Sequence, residues 1–89
     1  MKVRNVINSN YNAVANQFII EDKHVTYFQS YDSIIVKRNH KTGKTYLDRD
    51  TWDYSTTTGK YRNDFLRENI AETRKKIKSG EYKLINLNK

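Results

Sequence analysis

Between Trp52 and Leu66 the chain changes its hydrophobic period, and this switch restricts the fold more than any other feature. Before it, apolar residues alternate at the two-residue repeat of strands; after it, they recur at the spacing of a helix. The joint itself, Trp52-Asp53-Tyr54-Ser55-Thr56-Thr57-Thr58-Gly59-Lys60-Tyr61-Arg62, places an aromatic anchor and several candidate N-cap hydroxyls ahead of a basic amphipathic segment. A chain of 89 residues has room for a single domain, residues 1–89, over one thin core.

Ahead of the switch the alternation predicts strands at Lys2 to Ile7, Val14 to Glu21, His24 to Gln29 and Ser33 to Arg38, with turns at Asn8-Ser9-Asn10 and Glu21-Asp22-Lys23. The β-branched run Ile34-Ile35-Val36 makes the fourth the expected central strand, apolar on both faces and so covered on both. His40 to Lys44 closes a hairpin onto Thr45 to Asp48, with Gly43 free to take a positive φ. Beyond the switch, Tyr61, Phe65, Leu66 and Asn69 predict a helix from Thr57 to Glu68. A second helix runs from Ala71 to Ser79 and stops at Gly80, and Tyr82 to Leu87 returns as a strand. The expected fold class is α+β: a small twisted, mainly antiparallel sheet of five to six short strands, with two short helices near the C-terminal half. Trp52 and Tyr54 fix the strand-to-helix corner.

Composition narrows the function classes. The absence of Cys excludes disulfides, thiolate zinc sites and cysteine nucleophiles. No apolar run approaches the ~18 residues that would cross a bilayer, and Asn and Ser interrupt the apolar positions of the first ten residues, which argues against a signal peptide. The expected location is the cytosol. The net charge of +7 is unevenly distributed. Lys37, Arg38, Lys41 and Lys44 face no acid within their segment, and Lys60, Arg62, Arg67, Arg74, Lys75, Lys76 and Lys78 face only Asp64, Glu68 and Glu72. Such concentration favours an acidic or nucleic-acid partner over plain solvation of helix faces, with Tyr31, Tyr54 and Tyr61 available to stack on bases. It does not distinguish RNA from DNA or from an acidic protein groove. The expectation is that the two segments converge into one anion-seeking surface.

Catalytic and cofactor motifs fare worse. Gly43-Lys44-Thr45 has the end of a phosphate-binding loop, but Arg38 stands where the loop needs its first glycine, so a hairpin turn is the better reading. The Asp48 to Asp53 run lacks the glycine of a calcium loop, and Gly59 stands where its bidentate Glu belongs. Nothing in the sequence sets His24 or His40 beside a carboxylate or nucleophile. The reading is a non-enzymatic protein with no catalytic residue, cofactor or metal.

The tract Thr26-Tyr27-Phe28-Gln29-Ser30-Tyr31-Asp32-Ser33, the run Trp52-Asp53-Tyr54-Ser55 with Thr57 to Leu66, and Thr73 to Tyr82 together resemble a family of small accessory proteins carried by phages and plasmids of Gram-positive bacteria. The resemblance spans nearly the whole chain and transfers no catalytic residue. It implies a mobile-element protein acting in the bacterial host cytosol by stoichiometric binding, as counter-defence factors do. An anti-CRISPR inhibitor of a Cas nuclease is the leading expectation. Because the chain is strongly basic it cannot imitate DNA, so it would engage guide RNA, bound nucleic acid or an acidic protein surface. A nucleic-acid-binding regulator of the element is the alternative, and a self-associating virion component the second.

Overall fold

The computed structural model describes all residues from Met1 to Lys89. Five strands follow one another: β1 (Lys2–Ile7), β2 (Ala13–Asp22), β3 (Val25–Ser30), β4 (Ser33–Asn39) and β5 (Lys44–Asp48). Two helices, α1 (Thr56–Leu66) and α2 (Ile70–Ser79), then lead to β6 (Tyr82–Ile85). The sheet runs in sequence order from β1 to β6, antiparallel throughout except for the parallel pair β5–β6. A parallel pair needs a crossover, and α1 with α2 supplies it. The fold is therefore α+β, a six-stranded, mainly antiparallel open sheet with both helices in the C-terminal half.

β4 lies inside the sheet between β3 and β5, as a central strand should, but the reason expected for its apolar run needs correction. Phe28 pairs with Val36 and Gln29 with Ile34, which leaves Ile35 as an extra residue in a β-bulge. Ile35 and Val36 are both fully buried, and the continuous apolar run reflects this two-against-one pairing rather than cover on both faces. β2 also departs from a regular strand at Asn16, whose φ of 65° places it in the left-handed region that Asn enters more readily than most residues. Its carbonyl accepts the Tyr31 N–H at 2.7 Å.

Capping sets the helix limits. The Ser55 side chain accepts the Thr58 N–H at 3.1 Å and starts α1. Arg67, at φ 57°, ends it one residue after Leu66, so Glu68 lies outside the helix the sequence predicts it to close. Asn69 caps α2 by accepting the Glu72 N–H at 2.9 Å, and Gly80 at φ 86° terminates it. Glu72 in the first turn and Lys76 and Lys78 in the last complement the helix dipole.

Phe28, Ile35, Val36, Leu47, Leu66 and Tyr82 form the core, with Ile19, Trp52, Tyr61, Phe65, Ile77 and Leu84 packed against it. Register places Ile19, Phe28, Val36, Leu47 and Leu84 opposite one another in a row, on one face of the sheet. Phe65 of α1 stacks on Phe28 at 5.8 Å, and Ile77 of α2 joins the same cluster, so both helices cover this face. The other face carries no second layer. Beyond β6, the Asn88 side-chain amide donates to the Ile34 carbonyl at 3.1 Å and accepts its N–H at 2.7 Å, pairing with β4 where β5 has already ended. No helix is long and apolar enough to cross a membrane.

Candidate nucleic-acid interface

The corner from β5 into α1 is built around two buried charged groups. Asp48, 2% exposed, receives the N–H groups of Asp50 and Thr51 and the Thr51 hydroxyl on one carboxylate oxygen, and the Leu87 N–H on the other. Burial opposes its ionisation, but these hydrogen bonds outweigh the burial and hold its pKa below the ordinary carboxylate value. Arg62, 1% exposed, lies over the Trp52 ring with its guanidinium carbon 5.4 Å from the centroid. It donates to the Trp52 carbonyl, to Asp53 Oδ1 at 3.3 Å and to Asn63 Oδ1 at 3.0 Å. Asp53 also faces Arg74 at 3.3 Å, so the depression at the start of α1 contains its own carboxylate between two cations.

Glu68 forms the second hub. Its carboxylate, 2% exposed, receives the Thr73 hydroxyl at 2.6 Å, the Tyr82 hydroxyl at 2.9 Å and the Lys76 ammonium at 2.7 Å. Burial again opposes ionisation and is outweighed, here by the hydrogen bonds and charge of Lys76 and its neighbours, so the Glu68 pKa is lowered. The hydrogen bond to Glu68 raises Lys76, and burial, reinforced by the same carboxylate, raises Tyr82. Two cations that the sequence assigns to a partner surface, Arg62 and Lys76, are thus engaged inside the protein, and Arg74 is partly so.

The remaining cations divide between the two faces. Lys37, directly opposite Tyr46, lies on the open face with its ammonium 5.8 Å from the Tyr46 centroid. Arg38 points the other way, over the Phe65 ring at 5.7 Å and towards the Thr45 hydroxyl at 3.3 Å. Lys41 is exposed in the β4–β5 turn and Lys44 is exposed at the start of β5. Lys60, Arg67, Lys75 and Lys78 are exposed on or beside the helices, Lys60 with its ammonium 5.4 Å from the Tyr61 centroid. Tyr31 and Tyr54 are about half exposed, whereas Tyr61 packs on the core. The two charged segments therefore do not share one face. They approach at one end of the sheet, because Thr45 pairs with Tyr82 and sets the β4–β5 turn level with the end of α2.

Residues the sequence reading missed complete the open face. Tyr27 pairs with Lys37, Lys37 with Tyr46 and Tyr46 with Lys83, so ring and ammonium alternate across four strands. Each stands at the position of its strand opposite in parity to the core residues, a signal readable only once the strand order is known. No group of three His, Cys, Asp or Glu side chains is placed to hold a metal ion. His40 Nε2 lies 2.7 Å from the Thr26 hydroxyl.

Fold and surface together define a small α+β domain with one helix-backed face, one bare face and many unpaired cations. The chain belongs to a family of unknown function (DUF8033), whose family model matches residues 1–81. No curated protein and no solved structure matches it.

Proposed function

We propose that this protein is a non-enzymatic binding module that engages nucleic acid through cations left free of internal partners. The supporting observation is the ratio of paired to unpaired charge. Seventeen Lys and Arg side chains are present, and only Arg4, Arg62, Arg74 and Lys76 lie within ion-pair distance of a carboxylate. The other thirteen keep their charge for solvent or for a ligand. A salt titration of oligonucleotide binding tests the reading, since each neutralised phosphate releases counterions and steepens the salt dependence. Binding that is absent at low salt, or unaffected by added salt, rejects it.

The resemblance to phage and plasmid accessory proteins supports a narrower version, in which the module acts in the bacterial host cytosol as a counter-defence factor, such as an anti-CRISPR inhibitor of a Cas nuclease. Its positive charge then directs it to guide RNA or bound nucleic acid in that complex. Affinity capture from cells expressing a Cas nuclease, with and without nuclease digestion, separates the versions. Recovery of the Cas protein supports counter-defence; recovery of nucleic acid alone supports a regulator of the element acting through the same cations.

A further inference from the structure

We infer that the bare face of the sheet is a stacking platform for single-stranded nucleic acid, centred on Tyr46; the inference rests on the nucleic-acid reading above and specifies its ligand and its surface. Tyr46 has Lys37 directly opposite on β4 and Lys83 directly opposite on β6. Lys44, two residues earlier on β5, faces the same way because side chains alternate along a strand. Three lysines therefore occupy the positions around Tyr46, Lys37 with its ammonium 5.8 Å from the ring centroid, and none has a carboxylate within ion-pair distance. Tyr27, opposite Lys37, provides a second ring two strands away from Tyr46.

That arrangement fits bases and phosphates in alternation. Every base has a π-face that can stack on a tyrosine, and the intervening lysines meet the backbone. Strands about 4.8 Å apart put the two rings roughly 10 Å from each other. Bases stacked at about 3.4 Å are too close together to use both rings. In a duplex, moreover, the base faces are already covered by their neighbours, so the platform selects an unpaired, splayed strand. Both helices lie on the opposite face, and Tyr27 and Tyr46 remain partly exposed on this one. The acids of this face are Asp22, in the row that ends at Lys44, Glu81 beside the start of β6, and Asp48, two residues after Tyr46 on β5, whose buried carboxylate is taken up by the Asp50, Thr51 and Leu87 N–H groups and the Thr51 hydroxyl.

The experiment compares a fluorescein-labelled oligouridine with a duplex of equal length by anisotropy, using wild type, Tyr46→Leu, Tyr27→Leu, Lys83→Glu and Lys75→Glu, with circular dichroism to verify folding. The single strand is expected to bind more tightly than the duplex. Tyr46→Leu is expected to weaken the single strand about ten-fold and leave the duplex unaffected, because only unpaired bases stack on the ring. Lys83→Glu should weaken single-strand binding more than Lys75→Glu on the helix face. Amide chemical shifts on adding oligouridine should change along β3 to β6. A folded Tyr46→Leu and a folded Tyr27→Leu that both keep full single-strand affinity, or a duplex that binds better, overturns the platform while leaving nucleic-acid binding intact. Binding of neither probe overturns both readings.

Discussion

Arg62 heads the largest fully buried side chains of this protein, and it is a cation. Its guanidinium is held by the Trp52 ring, the Trp52 carbonyl, Asp53 and Asn63, which join the β5–α1 corner to the helix it precedes. Arg62→Ala is expected to destabilise by about 2–4 kcal/mol in urea unfolding, through lost packing and charged hydrogen bonds. Arg62→Lys should recover little, since an ammonium cannot reproduce the planar fork. Gln17 is the converse case. It is fully buried on the core side of β2 with neither amide atom hydrogen-bonded. An unsatisfied buried polar group costs about 1–3 kcal/mol, so Gln17→Leu is expected to be neutral or to raise the melting temperature. A marked fall in melting temperature would show that the amide has a structural role.

At the scale of elements, Glu68 ties the α1–α2 link to α2 through Thr73 and Lys76, and to β6 through Tyr82. Glu68 and Asp48 both have folded-state pKa values below their ordinary 4.5 and 3.8. The unfolded chain therefore binds more protons in that range, and the stability these groups contribute is lost as pH falls through their folded values. Lys76 and Tyr82 are raised above 10.5 and 10.0, so their contribution is present below those values and lost as pH rises through the folded ones. Urea midpoints measured against pH are expected to decline on both flanks, and Glu68→Gln should flatten both. The C-terminal residues act as a second tie. Asn88 occupies the position on β4 that a longer β5 would fill, so Asn88→Ala is expected to cost about 1–2 kcal/mol by removing two hydrogen bonds to Ile34.

For the molecule as a whole, the sequence makes some features legible and hides others for identifiable reasons. Alternation reveals β1 to β5 because each has a partner next to it in the chain, and the hydroxyl-rich joint correctly marks where α1 begins. The bulge at Ile35 is hidden, since an extra residue in one strand looks like two apolar faces when read alone. Charge counting treats every Lys and Arg as solvated, so it could not foresee that Trp52 would sequester Arg62 or that Glu68 would hold Lys76. The row of Tyr27, Lys37, Tyr46 and Lys83 depends on four strands lying side by side, which no local pattern encodes. Contacts made by β1 to β5 are local, whereas β6 can pair only after α1 and α2 have crossed the sheet. Native-state hydrogen exchange is expected to show β6 amides opening more readily than those of β3 and β4, and slower exchange in β6 would contradict this. Strand order that matches chain order has a further consequence during translation. Each hairpin can zip as soon as its second arm leaves the ribosome, while the outer seam of β5 stays unsealed until both helices and β6 have followed it.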